Sequence, residues 1–284
     1  MISSGPNYSG GNGSGPGSGG GSAPTSTWAD RPAVGTIGSR IYISDIGEYG
    51  AELVSTGTVW AHTGPIEIMQ RAKGWISPSL AAADAATYSQ SGTTITVTST
   101  GHNIPATNYD TKDVYLNMGT AATGATIPPG WFSNFQRTGA DTFTCVSTVS
   151  QTGTGSVNTN TSEIFITDLT STINGGVLGL NGVTDYALFA SNNNNANIKT
   201  STFYFGSVAI PYESTTATVN GVVSAPISNR NSYTSQFTLI NGATTLGVIS
   251  QDTSVDFTIS YSLQCAAAND YIAIHAASVY IKIS

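Results

Sequence analysis

Charge is scarce in this chain: Asp, Glu, Lys and Arg together make up 9 % of its 284 residues, where about a quarter is usual. Basic residues number 9 against 16 acidic ones, for a formal net charge of −7. A nucleic-acid binder needs a basic footprint, so that class of partner is excluded. Cysteine is limited to Cys145 and Cys265. They offer no metal framework and read as two buried free thiols. No apolar run approaches the length of a membrane span, so no membrane insertion is expected. The opening Met1-Ile2-Ser3-Ser4-Gly5 has neither the basic start nor the apolar core of a signal peptide. Catalytic signatures are missing too: there is no Gly-x-Ser-x-Gly elbow, phosphate loop or His-Glu-x-x-His.

What the chain has in quantity is Gly, Ser, Thr and Asn, which keep a surface wet with hydroxyls and amides rather than with charge. That suits a stable extracellular particle. Short segments rich in β-branched and aromatic residues recur, closed by Asn, Gly, Asp or Pro, as in an antiparallel β sandwich. In Asp256 to Leu263, the residues Phe257, Ile259, Tyr261 and Leu263 take every second position. Val279, Ile281 and Ile283 do the same in the last strand. A strand with one buried face requires that period. Ala217-Thr218-Val219 reads as a further short strand.

The order Asn195-Ala196-Asn197-Ile198-Lys199-Thr200, a strand ending Phe205-Gly206, Asn229-Arg230-Asn231, Ser235-Gln236, Asp252-Thr253-Ser254 and Ala268-Asn269-Asp270-Tyr271-Ile272 covers the last third of the chain. It resembles a family of C-terminal jelly-roll domains on virion proteins of tailed bacteriophages. The resemblance implies a trimeric, surface-displayed β domain that meets the host, with the virion as its location.

Four segments are expected. Residues 1–27 are a Gly/Ser-rich tether, with Ile2 and Tyr8 as small apolar anchors. Residues 28–76 form a small β module, with a hairpin closed by Gly57-Thr58 back onto Glu52-Leu53-Val54. Its Trp28-x-Asp30-Arg31-Pro32 opening, Gly35-x-x-Gly38 turn, Arg40-to-Asp45 strand and Gly57-Thr58-Val59-Trp60 resemble an attachment module of phage fibres and appendages. Trp28, Arg31 and Arg40, with Ile2 and Tyr8, are therefore the candidate virion-attachment residues. Arg31, Arg40, Arg71 and Lys73 are read either as solvated or locally paired charges or as a docking face for an acidic partner.

Residues 77–158 are expected to hold a short helix and a second β module. Ser77 can cap that helix, Pro78 fits its first turn, and Ala81 to Ala86 favour it. Thr94 to Thr98, Gly101-His102-Asn103, Pro129-Gly130 and Asp141-x-Phe143-Thr144 resemble a small β domain inserted in phage tail and fibre proteins. The chain departs from it at Trp131-Phe132-Ser133-Asn134-Phe135. Gln151 to Thr161 reads as a linker, and residues 159–284 as the jelly roll. The expected fold is thus mostly β: small N-terminal β modules, then a C-terminal jelly-roll sandwich that trimerises.

His102 reads as a turn residue, His275 as a surface or trimer-interface residue, and His62 stands at a loop start. Asp252, Asp256 and Asp270 read as turn aspartates bonding their own backbone. No catalytic residue, metal or cofactor is expected, and the chain is read as no enzyme. Tyr186, Phe189, Tyr204, Tyr212, Tyr233 and Tyr271 offer rings that could stack on sugar faces, though core packing explains such rings as well. Asn193, Asn194 and Tyr212 are the candidate ligand-binding residues. The function expected is that of a trimeric phage fibre. Its N terminus would meet tail, collar or capsid proteins, and its tip would bind a host-surface glycan. The alternative is a head fibre or capsid decoration protein without a receptor-binding role.

Overall fold

Alternation of apolar and polar side chains decides where the strands lie. A computed structural model describes residues 23–62, 64–80, 86–107, 109–214, 221–240 and 245–283, and no helix occurs among them. The expected anchors Ile2 and Tyr8 and the strand at Ala217-Thr218-Val219 lie outside the described residues.

The first strands are β1 (Thr25–Ser26), β2 (Arg40–Ile43), β3 (Ala51–Ser55), β4 (Trp60–Ala61), β5 (Ile66–Arg71) and β6 (Trp75–Ser79). Then come β7 (Ala86–Ser99), β8 (Asp113–Thr123), β9 (Gly130–Arg137) and β10 (Thr142–Asn158). The last third carries β11 (Ile164–Ile173), β12 (Val183–Asn192), β13 (Lys199–Phe205), β14 (Val208–Ser214) and β15 (Gly221–Asn229), followed by β16 (Gln236–Ile240), β17 (Thr245–Ile249), β18 (Phe257–Cys265) and β19 (Asp270–Lys282).

β1 to β4 form one small sheet in that order. The expected hairpin is present, with Val54 opposite Ala61 and Ser55 opposite Trp60. β1 pairs in parallel with β2, so the expected tether of residues 1–27 ends in a strand of this sheet. A second sheet has the order β11-β18-β13-β14. The largest runs β17-β16-β15-β12-β19 and continues through β6 into β8, β9, β10 and β7, with β5 also on β19. Phe257, Ile259, Tyr261 and Leu263 of β18 and Val279 and Ile281 of β19 all point into one core, as their period requires.

That core lies between the second sheet and the β15-β12-β19 part of the largest one. Tyr186 of β12 stacks on Phe203 of β13 across it, ring centroids 4.2 Å apart. The same apolar cluster runs on through Trp28, Ile41, Leu53 and Trp60 of the N-terminal sheet. A second core, with Ile95, Val97, Leu116, Phe135 and Phe143, fills the β7–β10 module and takes in Tyr271 and Ala273 from the start of β19. The expected boundary between residues 76 and 77 falls inside β6.

Two expectations are corrected. Ser77, Pro78 and Ser79 do not begin a helix; they complete β6, all five of whose residues are buried. β19 pairs with the full length of β6, while β8 pairs only with Trp75 and Ile76, so Pro78 lies beyond the second ladder. A helix this short is marginal without packing, and sheet pairing overrides its weak propensity. Residues 81–85 lie outside the described residues. Nor is Gln151 to Asn158 a linker: it is the second half of β10. Gln151–Ser156 pair with β7, and Thr154, Gly155, Val157 and Asn158 pair with β8. Small hydroxyl residues and glycine there allow a strand with neighbours on both edges.

Candidate functional site

Polar residues from distant segments converge at the two ends of β12. At its Asn192 end, Lys199 and Asp270 are both fully buried, with Lys199 Nζ 3.8 Å from Asp270 Oδ1. The ammonium also donates to Asn195 Oδ1 and, at 2.9 Å, to the Asn197 carbonyl. The amides of Asn193 and Asn195 donate to Asp270 Oδ1, Asn193 at 2.9 Å. Asn193 Oδ1 accepts the Tyr271 N–H at 3.0 Å. A charge taken out of water is tolerable only with such partners. At the Val183 end, Asn229 Nδ2 donates to the Gly179 carbonyl and to Thr253 Oγ1. Gln236 bonds the carbonyls of Tyr233 and Gln251 and accepts the Gln251 N–H. The short signatures of the sequence are therefore largely the residues that pin the loops of this sandwich.

Four aromatic rings form a row on the outside. Tyr115 of β8 faces Trp131 of β9 across their ladder, with ring centroids 5.5 Å apart. The Trp131 indole N–H donates to the Phe165 carbonyl at 3.1 Å, joining β9 to β11. Phe165 lies 5.1 Å from Tyr204 of β13. Phe165 is 48 % exposed, and the other three are half-buried. The Tyr204 hydroxyl donates to Glu163 Oε1 at 2.8 Å, and Ser262 donates to the same oxygen. Burial first, and then Glu163, push the Tyr204 phenol up to about 12, so it stays a neutral donor. Rigid rings beside a carboxylate, hydroxyls and amides make an amphipathic contact surface of low entropy cost.

The sequence reading singled out Tyr204 but not Tyr115, Trp131 or Phe165. A signal was available. Each ring sits out of phase with its strand: Tyr115 between Val114 and Leu116, Phe165 before Ile166, Tyr204 between Phe203 and Phe205, and Trp131 before Phe132. Those neighbours are all buried. Successive side chains of a strand point to opposite faces, so each ring leaves the buried face of its own strand, and Trp131 also packs against the edge of the sandwich core.

Other candidate chemistry is structural. His275 is the extra residue of a β-bulge: Phe189 pairs with Ala276 and Ala190 with Ile274. Its Nε2 lies 2.7 Å from Ser191 Oγ, which lies 2.6 Å from Tyr109 Oη. Burial, with Lys112 adding to it, pushes the imidazole down to about 4. Ser191 is 2 % exposed, a poor position for a nucleophile. His102 Nδ1 accepts the Ile104 N–H within its turn, and His62 Nδ1 accepts that of Gly64. Cys145 and Cys265 are free and buried, as expected. Among the described residues, no group of three or more His, Cys, Asp or Glu is placed to hold a metal. Of the three aspartates, only Asp252 bonds its own turn, through the Ser254 N–H. Asp256 accepts the Gly175 N–H, and Asp270 belongs to the buried network.

The expected site residues do not gather. Asn193 is buried and commits its amide to Asp270 and Tyr271; Asn194 is exposed beside it. Tyr212 stands in β14 opposite Ser201 rather than in a loop. Tyr186 and Tyr271 are core residues. Trp28 is buried and holds the N-terminal sheet to the sandwich: its indole N–H donates to Gly175 O at 2.8 Å, and its backbone N–H to Asp45. The Arg31 guanidinium stacks 3.8 Å from the Trp28 ring centroid. Arg40 pairs with Glu52 at 2.6 Å. No protein family, no curated protein and no solved structure matches the chain.

Proposed function

We propose that this chain is a structural protein of a tailed-phage virion, a trimeric appendage anchored by its N-terminal region that binds a host-surface glycan. The observation that carries the glycan reading is the outward row Tyr115, Trp131, Phe165 and Tyr204, flanked by Glu163. Pyranose rings present apolar faces to aromatic rings and hydroxyls to carboxylates, and this row offers both groups side by side. The strand order supports the jelly-roll part. β5-β19-β12-β15 and β11-β18-β13-β14 are two four-stranded layers of an eight-stranded double sheet. β6 to β10 and the β16–β17 hairpin then read as insertions. The scarcity of charge supports a particle surface.

The test uses the whole chain, because β19 relies on β5 and β6 for its outer edge. Purified protein is expected to bind host cells and to block phage adsorption, and Phe165→Ala is expected to weaken binding about tenfold, or ~1.4 kcal/mol. Wild-type protein that neither binds nor blocks would overturn the receptor-binding reading in favour of a decoration role.

A further inference from the structure

A cleft of about 190 Å³ opens where the N-terminal sheet meets the sandwich, lined by Trp28, Arg31, Trp60 and Tyr233 among others. Its indole edges are already committed. Trp28 donates to Gly175 O and Trp60 to Pro32 O at 3.0 Å, so both rings are locked in orientation. Arg31 is held in place twice, by stacking on Trp28 and by donating to the Trp28 carbonyl. On the sandwich side, the Tyr233 loop is pinned by Gln236 and Thr253, which bond the Tyr233 carbonyl. The site is thus preorganised from both sides.

Of the nine basic residues, Arg40, Arg71, Lys73, Lys199 and Lys282 each pair with a carboxylate. Arg31, like Lys112, Arg137 and Arg230, pairs with none among the described residues; what sets Arg31 apart is its place in the cleft. A guanidinium fixed in orientation favours a bidentate carboxylate ligand. The volume is below the usual range for drug-sized ligands, about 300–1,000 Å³, and suits one small ring. The walls combine the aromatic Trp28, Trp60 and Tyr233 with aliphatic Val34, Val59, Val177 and Ile283, and Thr58 adds a hydroxyl.

From this geometry we infer that the cleft binds one acidic sugar unit, a hexuronate, with its carboxylate on Arg31 and its ring against Trp60 and Tyr233. The site lies apart from the aromatic row and specifies what kind of glycan the protein takes; in that sense it rests on the glycan-binding reading above. Arg31 then serves ligand recognition rather than attachment to the particle.

Glucuronate, glucose and benzoate are titrated separately into the whole purified chain, followed by tryptophan fluorescence and by calorimetry. Glucuronate is expected to bind saturably, with affinity falling as salt rises, and glucose to bind at least tenfold more weakly. Arg31→Gln, at an exposed position, is expected to cost tenfold or more in glucuronate affinity, with the fold kept and the melting temperature lowered only by the loss of its contacts with Trp28. Three results would overturn the assignment: no glucuronate binding, equal binding of glucose, or binding of benzoate in preference to glucuronate. Because the soluble sugar is measured on isolated protein, these results are independent of the cell-binding test with Phe165→Ala. Failure of the one is therefore distinguishable from failure of the other.

Discussion

Lys199 and Asp270, 71 positions apart in the chain, face each other at 3.8 Å with neither side chain reaching solvent. Asn195 bridges them and Asn193 adds a second amide to Asp270, so one network ties the loop after β12 to the start of β19. Removing one partner of such a pair leaves the other charged and uncompensated. Lys199→Met is expected to lower unfolding free energy by about 3–5 kcal/mol. Urea unfolding measures it. In the double variant with Asp270→Leu, the loss should be smaller than the sum of the two single losses. Strict additivity would show that the pair is not coupled.

His275 makes stability depend on pH. Its imidazole is held down at about 4 by burial, with Lys112 adding to the effect, whereas in the unfolded chain it titrates near about 6.5. Between those values the unfolded chain takes up a proton that the folded chain refuses. This contribution is therefore full above pH about 6.5 and is lost progressively as pH falls to about 4. Melting temperatures across that window should fall less steeply for His275→Gln than for the parent. An identical slope would remove His275 from the account.

The two thiols should be silent in the native protein. Burial pushes both Cys145 and Cys265 up to about 12, so almost no thiolate exists at neutral pH. A thiol-reactive chromophore is expected to label neither in buffer and both in denaturant. Rapid labelling of native protein would contradict the burial of these side chains.

Under the proposed function the chain is a trimer, and light scattering is expected to give three times the chain mass of 29.2 kDa. Deleting residues 1–22 keeps β1, which pairs with β2. That truncation is expected to stay folded and trimeric but to be absent from assembled particles. A monomeric mass would refute the trimer, and normal incorporation would refute the tether.

Several elements were legible from the chain alone. Period-two spacing places Phe257, Ile259, Tyr261 and Leu263 in the core without reference to any other segment, because side-chain direction along a strand is a local property. The same rule, applied to aromatics out of phase with their strands, would have found Tyr115, Trp131 and Phe165. The tract after Gln151 misled because Gly, Ser and Thr suit both a linker and a strand paired on both edges. Ser77 to Ser79 misled because cap and propensity arguments ignore what β19 offers across the sheet.

By itself, the sequence determined that this is a β protein with little charge, two buried thiols and a run of polar signatures in its last third. Only the tertiary structure decided what those signatures are for. It alone brings Asn193, Asn195 and Lys199 onto Asp270, places Tyr233 beside Trp28 and Arg31, and lines up four rings from β8, β9, β11 and β13. Such meetings depend on which strands pair across long connections. A backbone period of two fixes which way a side chain faces, but not which distant segment it will face.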